Sequence, residues 1–240
     1  MSILVTGANG GLGSGIAEYF LAQDPTSFVY LGVRNNRDRV DQLIAAYPDR
    51  CEAISLDVSN QKDWTAALES IEQDERSISV LVNNAGHHDD NLLATMPESS
   101  WHNVIDSNLN SAFYGSKAVI PGMMKARFGR IINIASLSSI MAPIGQTNYS
   151  AAKAGLVAMT RSLAKEVARA GITVNAISPG YIATDAISHL DKDSEKAIKK
   201  TIPARRFGTP EEVASAVFFL ANPSAGYITG SNLKIDGGIF

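Results

Sequence analysis

A hydroxyl, a phenol and an amine in the second half of the chain, Ser136, Tyr149 and Lys153, stand at spacings that could move a proton to and from a carbonyl oxygen. Ser136 closes the apolar run 130–135, which reads as a buried strand, and Tyr149 opens a segment rich in Ala, Leu and Lys that reads as a helix. On that helix Tyr149 and Lys153 share a face, one turn above the other. A free phenol has a pKa of about 10 and is a poor acid at neutral pH, while a neighbouring ammonium lowers an anionic partner by roughly one to three pH units. The expectation is a Tyr149 acidic enough to give a proton to a ketone and take it back, with Ser136 hydrogen-bonding the same oxygen. A Tyr and a Lys at helical spacing also occur by chance, and a lone Tyr is commonly a half-buried core residue. The elements that would position the trio therefore decide.

The first of these is a strand over 2–6, a turn Gly7-Ala-Asn-Gly-Gly-Leu-Gly13 and a helix marked by Ile16, Ala17, Phe20 and Leu21. Glycines at 7, 11 and 13 let the backbone approach a pyrophosphate, whose charge is stabilised by the helix N-terminus; glycines also serve ordinary tight turns. A second strand, 28–33, leads to Arg34. An acid there would bind the ribose 2'-hydroxyl of NAD, whereas a cation attracts the 2'-phosphate of NADP; a solvated loop cation is the plain alternative. Arg37 and Arg39 either add to that field or decorate the next helix, 37–46. Strands at 52–57, 78–83, 130–135, 172–178 and 227–236 alternate with helices at 60–73, 99–128, from Tyr149 to the stop signal Gly171, and from Pro210 to 221. This order predicts a single domain with a doubly wound, parallel sheet whose strand carboxyl ends line one crevice.

Asp57, at the end of the third strand, either accepts the adenine amino group or caps a helix. Asn83-Asn84-Ala85-Gly86 ends the fourth strand with small groups suited to the ribose on the nicotinamide side. Asn108 interrupts a long helix, where Asn competes with the backbone; it is either a polar interface residue or the holder of a water that links Lys153 to solvent. Pro179-Gly180-Tyr-Ile-Ala-Thr184 leaves the sheet beside the nicotinamide, and the polar stretch after it, to about 209, reads as a mobile substrate lid or as an ordered surface helix pair.

Composition bounds the rest. With 240 residues, 45% hydrophobic and 19% charged, the chain can fill one core. A formal net charge of -3 gives no reason to expect nucleic acid. The apolar runs are too short for a bilayer, and Met1–Val5 leads straight into a strand, so a cytoplasmic setting without signal peptide is expected. Cys51, the only cysteine, excludes an internal disulfide and a cysteine metal cluster.

Taken together, Thr6-Gly7-x-x-x-Gly11-x-Gly13, Asn83-Asn84-Ala85-Gly86, Asn108, Ser136 with Tyr149-x-x-x-Lys153, and Pro179-Gly180 resemble the short-chain dehydrogenase/reductase superfamily over essentially the whole chain. The resemblance implies a Rossmann-type, seven-stranded sheet and hydride transfer from nicotinamide C4 without a metal. It assigns Tyr149 as acid/base, Lys153 as ribose ligand, Ser136 as carbonyl orienter and Asn108 as water holder. The implied cofactor cradle comprises Gly7, Asn9, Gly10, Gly11, Leu12, Gly13, Arg34, Asp57, Val58, Asn84, Ala85, Gly86, Tyr149, Lys153, Pro179, Gly180, Ile182 and Thr184. Within the superfamily, the stretches Asp90-Asn-Leu-Leu, Gly129-Arg-Ile-Ile-Asn-Ile and Asn148-Tyr-Ser-Ala-Ala-Lys-Ala-Gly-Leu look most like bacterial 3-oxoacyl-[acyl-carrier-protein] reductases. That implies NADPH, an acyl carrier protein partner docked by Arg130 and Arg169, and a homotetramer packed through the helices of Asn108 and Tyr149. The same chemistry on another ketone or alcohol, such as a sugar, steroid or small molecule, is the alternative. Gly10 departs from the Arg frequent in NADP-dependent members, Ala170 stands where a second docking cation is expected, and His87-His88 are unusual after the Asn-Ala-Gly motif.

Overall fold

Strand side chains alternate between two apolar layers, and that alternation fixes where the helices must lie. Ile3, Val5, Val29, Leu31, Val80, Val82, Ile132 and Ile134 point into one layer; Leu4, Tyr30, Leu81, Ile131 and Val174 point into the other. The computed structural model describes every residue except Glu75 and His189. Its strands are β1 Ser2–Thr6, β2 Phe28–Val33, β3 Cys51–Ser55, β4 Val80–Asn83, β5 Gly129–Ile134, β6 Ile172–Pro179 and β7 Asn232–Ile235. They form the single parallel sheet that the sequence predicts, in the order β3-β2-β1-β4-β5-β6-β7. The order reverses between β1 and β4, where the connections leave a crevice beyond the carboxyl ends.

Helices α1 Gly11–Gln23 and α9 Pro210–Ala221 cover the first layer through Ile16, Phe20, Val213 and Val217. Gly15 lets them meet, since a Cβ there would stand 2.8 Å from Pro210. Helix α9 begins with a capping box between Thr209 and Glu212 and carries Pro at a favoured first position. On the other face, α3 Gln61–Gln73 contributes Trp64, α5 Ser111–Ala126 contributes Val119 and Met123, and α7 Thr147–Val167 contributes Ala164. Helix α2 Asp38–Ala46 completes the first layer with Val40 and Leu43.

The interior on the α7 side also holds a polar chain. Asn83 Nδ2 donates to Asn133 Oδ1 at 2.8 Å, Asn133 Nδ2 donates to Thr160 Oγ1 at 2.8 Å, and Thr160 donates to the Leu156 carbonyl at 2.8 Å. It crosses β4, β5 and α7 with each group satisfied in one direction.

The largest differences from the sequence reading lie in the second half of the chain. The helix expected over 99–128 is α4 Glu98–Ile105 followed by a π-helical turn Asp106–Asn110 and then α5. A short helix α6, Ser138–Met141, follows Ser136 directly. The last strand shrinks to four residues because Gly230, at φ +75°, turns the chain just before it. The stretch after Thr184, read as a mobile lid or an ordered surface helix pair, contains α8 Lys192–Thr201, capped by Asp191. Part of that stretch, His189, lies outside the described residues. The excursion is pinched at its base, where Ala183 donates to the Gly208 carbonyl and Gly208 to the Tyr181 carbonyl. No helix among the described residues is long and apolar enough to cross a membrane.

Candidate active site

The glycine turn between β1 and α1 is built to receive a close neighbour. Gly7 has φ +64°, a conformation that L side chains resist, and a Cβ on Gly13 would stand 2.3 Å from the Gly7 carbonyl oxygen. Helix α1 starts with Gly10 as N-cap, without a side-chain cap and without an acid in its first turn. Its leading N–H groups are therefore free to face an anion, favoured by the helix dipole. Gly7, Gly10, Gly11, Leu12 and Gly13 line a cleft of about 580 Å³ together with Asn84, Ala85, Gly86, Ser136, Tyr149, Lys153, Pro179, Gly180, Ile182 and Thr184. Asn9 turns away from it: its Oδ1 accepts from the backbone N–H groups of Arg39 and Val40 at 2.9 and 3.3 Å and fastens the start of α2 to the turn.

A second cleft of about 540 Å³ continues from the first through Gly7, Ala85, Gly86 and His87, and is lined by Arg34, Asp57 and Val58. The side chain of Arg34 is 68% exposed there, 3.8 Å from the Asp57 carboxylate. Asp57 closes a local turn by accepting from the Ser59 backbone and hydroxyl at 3.0 and 2.6 Å, and the Ser59 hydroxyl bond holds its carboxyl pKa below the usual value. Asn60, not Asp57, caps α3. Arg37 is paired with Asp41 at 3.0 Å and Arg39 with Asp185 at 2.6 Å, whereas Arg34 makes the longer contact to Asp57.

Asn84 donates from Nδ2 to the Thr6 carbonyl at 2.9 Å, lashing the end of β4 to the glycine turn. Asn108 sits inside the π-helical turn, 2% exposed, and its Nδ2 donates to the carbonyls of His87 and Val104 at 2.7 and 2.9 Å. Its Oδ1 is buried and has no partner among the described residues; a Cβ on Gly86 would come within 2.2 Å of it. The helix accommodates the misfit that its sequence advertises by widening one turn, a device concentrated at functional sites.

Ser136 follows β5, and Tyr149 and Lys153 stand one turn apart on α7. Lys153 is 3% exposed, and its Nζ donates to the Ile134 carbonyl at 2.8 Å. Burial lowers its pKa to about 8. The Lys153 Nζ lies 5.6 Å from the centre of the Tyr149 ring. The phenol is not depressed by it: burial raises the Tyr149 pKa, the nearby Ser136 hydroxyl opposes the rise, and the Asp90 carboxylate adds to it. This corrects the expectation drawn from spacing, because helical proximity brought the ammonium over the ring while the fold removed water from the hydroxyl.

A second correction concerns Arg130. It is 3% exposed at the amino end of β5, opposite the crevice; its guanidinium donates to the carbonyls of Gly129 and Gly171 and stacks on Phe128. Buried in this way, Arg130 is not presented as a surface cation in this chain, whereas Arg169 is exposed. Residues that the sequence reading did not place in the site include Ser138, Asp90 and Gln146, which join Ser136 to His88 through hydrogen bonds. The unusual His-His pair and the Asp90-Asn-Leu-Leu stretch were the signals near them.

The family model described as enoyl-(acyl carrier protein) reductase matches residues 7–239. The chain is 42% identical over 237 residues to a 3-oxoacyl-[acyl-carrier-protein] reductase of Vibrio harveyi, covering 99% of this chain and 96% of that protein. It is 41% identical over 237 residues to the reductase of the same name from Escherichia coli K12, with the same coverage. Among solved structures, a protein assigned as a gluconate dehydrogenase from Agrobacterium tumefaciens superposes with a TM-score of 0.93 at 31% identity, covering 99% of this chain and 95% of that one.

Proposed function

From the premise that the chain belongs to the short-chain dehydrogenase/reductase superfamily and is an oxidoreductase of CH–OH and C=O groups, we propose that it reduces the 3-keto group of an acyl thioester carried on acyl carrier protein to the 3-hydroxyacyl thioester, with NADPH. The observation that carries this reading is one cleft shared by Ser136, Tyr149, Lys153 and an uncapped, glycine-led helix N-terminus. The glycine cradle and the two joined clefts would fit a dinucleotide.

In that reading the N–H groups of α1 hold the pyrophosphate, Arg34 holds the 2'-phosphate, and Lys153 binds the ribose on the nicotinamide side. The bound cofactor supplies the hydride. Tyr149 gives its proton to the substrate oxygen, and Ser136 hydrogen-bonds that oxygen. The raised Tyr149 pKa suits this direction, since it keeps the proton on the phenol at neutral pH, while the alkoxide formed by reduction is a stronger base than phenolate and takes it. Asn108 Oδ1 is placed to accept from a water that returns the proton. The excursion pinched between Ile182 and Gly208 acts as the lid, anchored to the cofactor side by the Arg39–Asp185 pair at 2.6 Å. An apolar groove lined by Phe113, Ile120, Met159 and Leu163, between α5 and α7, supports the homotetramer.

The test is NADPH oxidation by the purified protein with acetoacetyl groups on carrier protein, on coenzyme A and on free esters. Carrier-bound substrate should be reduced fastest; no oxidation at any chain length sinks the reading, and a better rate on free sugar or steroid ketones moves it to another substrate. Arg34→Ala should raise the Michaelis constant for NADPH by about tenfold, equal to roughly 1.4 kcal/mol for one lost charge-assisted contact, and change that for NADH little. Equal changes for both nucleotides would remove Arg34 from the choice of cofactor.

A further inference from the structure

The two adjacent histidines face different surroundings. His87 is paired with the Ser107 hydroxyl at 3.0 Å, beside the second cleft. His88 lines the first cleft, its ring edge-on to that of Tyr149 with centroids 6.0 Å apart at 65°. Its Nδ1 meets Asp90 Oδ1 at 3.0 Å. Asp90 is fixed in turn, because its Oδ2 accepts from Gln146 Nε2 at 3.0 Å, and Gln146 Oε1 accepts from the Ser138 hydroxyl at 2.9 Å. Two further bonds clamp the same loop: Asn91 donates from its backbone to the Gly145 carbonyl at 2.9 Å, and Asn148 Nδ2 to the Asp89 carbonyl at 3.0 Å.

An ionised carboxylate accepts hydrogen bonds and donates none, so the ring proton of neutral His88 resides on Nδ1. Nε2 is then the ring's other polar atom and carries a lone pair, on a ring that lines the cleft shared with Ser136 and Tyr149. We propose that His88, held by Asp90, determines specificity as a hydrogen-bond acceptor for an N–H or O–H group that the substrate carries near its reacting ketone. This rests on Ser136 and Tyr149 as the carbonyl site. A bare 3-oxo thioester has acceptors only and gains nothing from it. An amide in the thioester arm, as in a carrier-linked substrate, or a hydroxyl of a polyhydroxy ketone supplies the donor.

The experiment compares matched pairs that differ in the donor alone. One pair is the acetoacetyl thioester of N-acetylcysteamine and its N-methylated amide; the other is a hydroxyketone and its O-methyl ether. Wild-type protein should favour the donor-bearing member of at least one pair by about three- to tenfold in kcat/KM, chiefly through KM, as expected for the net contribution of one hydrogen bond. His88→Phe, which keeps the ring and its contact with Tyr149, should bring that ratio to about one. His88→Gln, which restores an acceptor oxygen, should recover part of it, and the Kd for NADPH, read by fluorescence, should not move in either variant. Thioester turnover absent but a hydroxyketone ratio that collapses in His88→Phe would defeat the acyl reading and support this one. Calorimetric Kd values carry the same comparison where turnover is absent. No preference in the wild type, a preference that survives His88→Phe, or no binding of any member overturns it.

Discussion

Tyr149→Phe should lower kcat for ketone reduction by about 10²- to 10⁴-fold, the range for loss of a positioned proton donor, while the Kd for NADPH stays unchanged. Burial raises the Tyr149 pKa and so favours the protonated phenol that acts as donor, and Phe preserves the ring that packs against His88. Stopped-flow hydride transfer and fluorescence titration of the nucleotide separate the two quantities. A variant that keeps more than about a tenth of wild-type turnover would show that another group delivers the proton. A cofactor-binding protein without turnover would show no effect at all.

Lys153→Met should lose activity by a comparable factor and yet make the protein without nucleotide more stable at neutral pH. The Lys153 pKa falls from 10.5 to about 8 because its ammonium is taken out of water. The folded state therefore binds this proton less tightly than the unfolded chain. Below pH 8 the full penalty is present, on the order of 3 kcal/mol; it is relieved as pH rises from about 8 to 10.5, where the unfolded lysine also loses its proton. Methionine keeps the length of the side chain without its charge but leaves the Ile134 carbonyl short of a donor, at roughly 1 kcal/mol. The net gain expected at pH 7 is about 2 kcal/mol, shrinking toward pH 10. Urea unfolding of both proteins at the two pH values measures it. A less stable variant at pH 7, or a difference that does not change with pH, would mean that Lys153 is adequately solvated where it sits. Function at this position would then carry no cost in stability.

The order of elements was readable because the central strands are buried on both faces and runs such as Ser2–Thr6 and Gly129–Ile134 are largely apolar, with a glycine marking one end. The site was readable for a related reason: Gly7, Gly13 and Gly86 stand where a Cβ would meet backbone or the Asn108 amide, so their identity reports local geometry. What the sequence concealed depends on partners distant in the chain. Arg130 reads as a surface cation, and only the carbonyl of Gly171, brought alongside by the β5–β6 pairing, shows why it can be buried. Helix α8 has no apolar stripe to reveal it and is set by the Asp191 cap. The direction of the Tyr149 pKa follows from water exclusion by the assembled cleft, which spacing on one helix cannot express.

The chain of amides from Asn83 through Asn133 to Thr160 has one more implication. Each link has a single polarity, so a slip of α7 by one residue, or a rotation that kept its oily face inward, would strand several dipoles in a dry interior at once. The helix that bears Tyr149 is thus indexed to the sheet like a key cut for one lock position, and the alignment that the proposed hydride and proton transfer would demand is inherited from the scaffold beneath instead of being restored at each turnover.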